Sequence, residues 1–103
     1  MILISVMYPR ESASTFNEGY YLGEHMPLVK ARWSSMGLDK VDVVRGTSTL
    51  DGGPAPFHIM ALLWFSSVQD FERAGQEHGA EIFADIPRFS SVPPVVQISE
   101  LLG

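Results

Sequence analysis

The chain has no cysteine among its 103 residues, which removes disulfides, thiolate metal centres and cysteine nucleophiles and makes an oxidising compartment unnecessary for stability. Positive charge is also scarce. Seven Lys and Arg stand against twelve Asp and Glu, a formal charge of -5, and the basic residues form no run, so a nucleic-acid surface is not expected. No His-x-x-x-His, Glu-x-x-His or facial-triad spacing occurs, which argues against a metal site built by the protein. There is no Gly-x-Ser-x-Gly nucleophile elbow, and Gly52-Gly53 is not followed by the helix that phosphate binding needs. Repeats and low-complexity segments are absent. The apolar opening Met1 to Val6 lacks a positive flank and a small-residue cleavage site and is too short to span a bilayer, so a cytoplasmic protein without a membrane partner is expected.

What is present is a strongly apolar short chain. With 46% hydrophobic residues and a mean hydropathy of +0.10, residues 1–103 read as one globular domain, too apolar for disorder and too short for two cores. The segment Phe16-Asn17-Glu18-Gly19-Tyr20-Tyr21-Leu22-Gly23-Glu24-His25-Met26-Pro27-Leu28-Val29 concentrates the chemistry: two adjacent tyrosines, a histidine and a proline on one helical stretch. Thr15 and Glu18 have capping-box spacing, which places the helix start near Phe16. Pro27 has no amide donor and its ring would strike the Gly23 carbonyl, so a break or kink is expected between Gly23 and Met26. Tyr21 and His25 lie one turn apart on a shared stripe, with Tyr20 looking another way, expected to pack with Phe16 against the sheet while Tyr21 bridges core and solvent.

The rest reads as alternating elements. Strands are expected over Ile2 to Tyr8, Val41 to Thr47, Phe57 to Phe65 and Val95 to Leu101. The first helix extends to Met36 with Gly37 as its left-handed cap; the second starts at Ser66 or Ser67 and stops at Gly79, followed by a short turn over Ala80 to Ala84. The order βαββαβ with right-handed crossovers gives an α+β, ferredoxin-like four-stranded antiparallel sheet with both helices on one face. The polar second strand, with Asp42 and Arg45, suits a sheet edge. Both phases of the first and third strands are apolar, so a homodimer covering the second face is expected.

The pattern Phe-x-x-x-Tyr-Tyr-x-x-x-His-x-Pro-Leu-Val resembles the EthD family, small proteins linked to ethyl tert-butyl ether degradation. Met7-Tyr8-Pro9, Trp33, Gly37-Leu38, Trp64-Phe65, Ala84-Asp85-Ile86-Pro87-Arg88-Phe89 and Pro94 to Glu100 extend the resemblance over nearly the whole chain. The family often has Asn in place of Arg88 and Thr in place of Ser90. The resemblance implies a dimeric α/β barrel, and related barrels include cofactor-free monooxygenases, isomerases and dehydratases; EthD-like proteins are commonly grouped with oxidoreductases.

The candidate catalytic residues are His25, whose imidazole titrates near neutrality, with Tyr21 or Tyr20 orienting it or donating to a substrate oxygen. The plainer reading of His25 is a hydrogen bond to a backbone carbonyl freed beside Pro27. If the phase of His58, Met60, Leu62 and Trp64 faces the barrel interior, these residues with Arg45 and Gln97 would line a small-molecule pocket. Asp85 at the pocket mouth would be a carboxylate partner for His25 or Arg45, although a turn or cap residue before Pro87 is the preferred reading. No cofactor is expected, while a lone histidine could ligate haem in such a barrel. The expected function is binding of a small hydrophobic, oxygenated or aromatic molecule, with oxidoreductase-type or acid/base chemistry at His25. The alternative is a non-catalytic accessory protein that sequesters a ligand for an oxidative degradation pathway.

Overall fold

A computed structural model describes all residues from Met1 to Gly103. Strand β1 spans Ile2–Pro9, β2 Leu38–Arg45, β3 Phe57–Phe65 and β4 Val95–Glu100, all antiparallel in the order β2-β3-β1-β4. This is the ferredoxin-like α+β arrangement, with β2 at one edge as its polarity foretold. β2 begins and ends earlier than its apolar run implies: Gly37, at φ 98, turns the chain straight from the first helix into Leu38. Gly46 then lets the backbone pass within a side chain's width of Phe57, where a Cβ would sit 2.1 Å from the Phe57 carbonyl oxygen.

Alternation in the central strands sorts the two faces. Ile59, Ala61, Leu63 and Phe65 are buried, as are Ile2, Ile4 and Tyr8 beside them, and the helices lie over this side. The open face carries cross-strand rows. Val44, Met60, Met7 and Val95 form one such row, and Lys40, Trp64, Leu3 and Ser99 another. Val95, Val96 and Ile98 are all exposed, so β4 is uncovered on both sides.

The first helix runs over residues 18–33 and is capped by Asn17, whose side chain accepts from the Tyr20 amide. The capping box is not formed. Thr15 is instead tied to Ser91, its amide donating to the Ser91 hydroxyl, and Phe16 bridges to Ser90. Glu18 is drawn away to Arg45. Of the break or kink expected between Gly23 and Met26, the break is absent: dihedrals stay helical, and the ladder is instead distorted by a π-helical stretch over Tyr21–His25, closed by the Met26 amide donating to the Tyr21 carbonyl, with Pro27 in the first turn of the α-helical stretch that follows. A widened turn accommodates a proline without ending the helix. Buried Met26, Val29 and Trp33 then face the sheet.

The second helix covers residues 68–84, with Ser67 as the cap accepting from Asp70. Gly79 does not stop it. The stretch Gly75–Gly79 is a second π segment that continues into Ala80–Ala84, so His78 lies within the helix, near Glu77 and Glu81, and not at a helix end. The helices are joined by the Trp33 indole N–H, which donates to the Ala74 carbonyl at 2.9 Å, and by an Arg32–Glu81 pair at 2.8 Å. No helix is long and apolar enough to cross a membrane.

Candidate functional site

The π stretch presents Tyr21 and His25 inward, both buried and stacked with ring centroids 5.6 Å apart and planes at 17°. Such widened turns recur at functional sites because they re-aim side chains relative to the rest of the helix. A short 3-10 turn, Ile86–Arg88, follows the second helix and brings Asp85 and Phe89 against this pair. Asp85 Oδ2 lies 2.9 Å from His25 Nδ1, and the Tyr20 hydroxyl donates to Asp85 Oδ1 at 2.7 Å. Arg88 Nε stands 3.6 Å from the same Oδ1. Phe89 closes the group, 4.5 Å from the imidazole centroid and stacked on Tyr20.

Burial pushes Asp85 up, but the hydrogen bonds from His25 and Tyr20 and the Arg88 charge outweigh it, leaving the carboxyl below its ordinary range. Burial pushes the His25 imidazole down, and its bond to Asp85 offsets only part of this. A neutral imidazole beside an ionised carboxylate is the resting arrangement. An acceptor at Nδ1 holds the proton on that nitrogen and leaves Nε2 with its lone pair, which is the tautomer a general base requires. Burial raises the Tyr21 phenol above its ordinary value, and Asp85 as acceptor raises that of Tyr20, so both are protonated donors at neutral pH.

His25 and Tyr21 line a cavity of about 30 Å³, walled mostly by apolar side chains including Val6, Met26, Ala61 and Ile82. The Tyr21 hydroxyl is buried without a hydrogen-bond partner. This volume holds one water-sized group.

The ten expected site residues thus separate into three places. His25, Tyr20, Tyr21 and Asp85 come together. The preferred reading of Asp85 as a turn residue describes its backbone, since its carbonyl accepts from Arg88, while its side chain meets His25. His25 bonds this carboxylate and not a backbone carbonyl. The expected roles of the two tyrosines in packing are exchanged: Tyr21 is the core residue and Tyr20 the half-exposed one. Arg45 and His58 leave the open sheet face and converge on Glu18, with Arg45 Nη2 at 2.5 Å and His58 Nε2 at 3.5 Å. Arg45 pairs with Ile59, which puts it on the helix side, and Phe16 draws His58 to a ring contact of 5.5 Å. Met60, Leu62, Trp64 and Gln97 remain on the open face, and none of them lines the cavity of His25. Phe89 and Glu18 went unassigned because their roles depend on contacts far along the chain. No three His, Asp or Glu side chains come together as a metal-binding group.

Against solved structures, the chain is similar to an EthD-like protein from Ralstonia eutropha JMP134, at 36% identity and TM-score 0.90 over 99% of this chain and 92% of that one. It also resembles an ethyl tert-butyl ether (EthD) family protein from Bacillus halodurans C-125, at 18% identity and TM-score 0.80 over 99% of each chain. A dimeric ferredoxin-like protein from an uncultured marine organism shares the fold at 12% identity and TM-score 0.50, over 100% of this chain and 96% of that one. No family model and no curated protein matches the chain.

Proposed function

Because the chain belongs to the EthD-like family, sharing 36% identity with the Ralstonia eutropha member, we propose that it binds a small hydrophobic, oxygenated or aromatic molecule and moves a proton on it. His25 Nε2 is the base, Asp85 the residue that orients it, and the Tyr21 hydroxyl the donor to the substrate oxygen. The observation that carries this reading is the Asp85 carboxylate bonded at once to His25 at 2.9 Å and Tyr20 at 2.7 Å, which keeps the proton on Nδ1 and leaves Nε2 as the free base. A base removing a proton beside a carbonyl while a phenol holds the developing oxyanion is the chemistry such a set can perform. The small size of the cavity requires a lining side chain to yield when a substrate enters, and Phe83, the exposed one in its wall, is placed to do so.

The test is deuterium incorporation from D2O into a panel of enolisable aryl ketones, followed by proton NMR. Exchange accelerated by the wild type and lost in His25→Ala, with the folded structure retained by circular dichroism, is the expected result. Equal exchange with both proteins would sink the proposal. Absence of acceleration across the panel would favour the second reading, a non-catalytic accessory that sequesters a ligand, for which the largely apolar cavity speaks.

A homodimer belongs to the same proposal. What supports it is the apolar open row Val44, Met60, Met7 and Val95, the exposed β4, and the dimeric ferredoxin-like neighbour. Sedimentation showing a stable monomer at micromolar concentration would overturn it.

A further inference from the structure

A second, larger cavity of about 540 Å³ opens on the other side of the aromatic wall formed by Tyr8 and Phe16, within the range of small-molecule sites. Tyr8 lines both cavities, and its ring meets Phe16 edge to face at 5.1 Å, so the two spaces are neighbours without being one.

The charges on this larger cavity are balanced. Arg10 and Glu11 both line it, and neither is engaged in an ion pair with any side chain. Arg10 is nevertheless fixed: Nε donates to the Ala55 carbonyl at 3.0 Å and Nη2 to the Gly46 carbonyl at 3.3 Å. Those bonds use one edge of the guanidinium and leave the Nη1 side, the second edge able to grip a carboxylate with two parallel bonds. Glu11 is anchored through its backbone, which exchanges hydrogen bonds with the Ser14 hydroxyl at 3.1 and 2.8 Å, leaving its carboxylate free as an acceptor for a cation. The aromatic floor of Phe16 and Tyr8 favours a ring.

We propose that this cavity binds a zwitterionic aromatic amino acid, with its carboxylate on Arg10, its ammonium on Glu11 and its ring against Phe16. A guest with only one charge would forgo the charge-assisted hydrogen bonds of either Arg10 or Glu11, which is the difference that sets a zwitterion apart from its singly charged analogues. The site is separate from His25, and its occupancy does not depend on proton transfer there.

The experiment is calorimetric titration of the full chain with L-phenylalanine, 3-phenylpropanoate, which lacks the ammonium, and phenethylamine, which lacks the carboxylate. The wild type is expected to bind L-phenylalanine at least tenfold more tightly than either analogue. Arg10→Gln should abolish the preference over phenethylamine, and Glu11→Gln, which disturbs no backbone tie, should abolish the preference over 3-phenylpropanoate. No binding of L-phenylalanine, an analogue bound equally well by the wild type, or preferences unaltered in Glu11→Gln would each overturn the assignment. These outcomes are distinct from a failure of the proton-transfer proposal, which is read by isotope exchange at another cavity.

Discussion

Replacing Asp85 by Asn tests the link between structure and chemistry most directly. The change keeps shape and leaves an oxygen to accept from Tyr20, but it sets an amide donor against His25 Nδ1 where a carboxylate stood at 2.9 Å. His25 must then carry its proton on Nε2, and the base is lost. General-base assistance contributes about 10²- to 10⁴-fold, so exchange activity should fall by that order. A charge-assisted hydrogen bond is worth about 1.5–3 kcal/mol, and the amide recovers part of it, so the expected loss of stability is about 1–2 kcal/mol. In a domain of this size that corresponds to roughly 4–16 °C in Tm. The assay is two-dimensional ¹⁵N NMR of the imidazole, in which a protonated Nδ1 in the wild type should become a protonated Nε2 in the variant, alongside urea unfolding followed by the fluorescence of Trp33 and Trp64. An unchanged tautomer, or a stability change within about 0.5 kcal/mol, would show that Asp85 does not orient His25 and would refute the reasoning.

Three further outcomes are expected. Tyr21→Phe removes a buried hydroxyl with no partner, so the protein should be as stable or up to about 1 kcal/mol more stable in urea unfolding, and a clear loss would reveal an unseen partner for the hydroxyl. Stability should depend on pH at both ends: His25 is held below its ordinary value of 6.5 and Asp85 below 3.8, so the unfolded chain binds more protons and the urea midpoint should fall as pH drops below about 6.5 and again below 3.8. Tyr8 and Tyr21 are raised by burial, so their contribution persists to about pH 10 and is lost above it; a flat midpoint between pH 7 and 5 would contradict the His25 assignment. Gly46→Ala should destabilise by about 1–3 kcal/mol because its Cβ meets the Phe57 carbonyl at 2.1 Å, whereas Gly52→Ala, with φ 90 but open space, should cost about 1 kcal/mol; equal melting temperatures would refute the crowding argument.

The elements whose formation is local were legible in the sequence. Alternation in Phe57–Phe65 and the left-handed Gly37 follow from side-chain periodicity and from the only residue that adopts φ 98 without strain, and both are found. The site was legible in composition but not in arrangement. His25 stood out through its neighbours, yet the residue that orients it lies 60 positions away and looked like a turn former before Pro87. Thr15 and Glu18 have capping-box spacing but were claimed by Ser91 and Arg45, contacts of the tertiary structure that outweigh a local cap. Pro27 predicted a broken or kinked helix because local sterics forbid a normal turn, and the π stretch is the form the distortion takes, one that spacing does not announce.

That widened turn also sets what the helix can tolerate in length. An α-helix advances its side chains by a fixed angle per residue, so a single insertion or deletion rotates everything beyond it by about a quarter of a circle. The extra residue within Tyr21–His25 lets one continuous helix carry two azimuths, one holding His25 to Asp85 and the other holding Met26, Val29 and Trp33 to the sheet. Removing any one residue of this stretch, even the exposed Leu22, would force a choice between the imidazole's partner and the core, so the segment is intolerant of length change where it is tolerant of substitution.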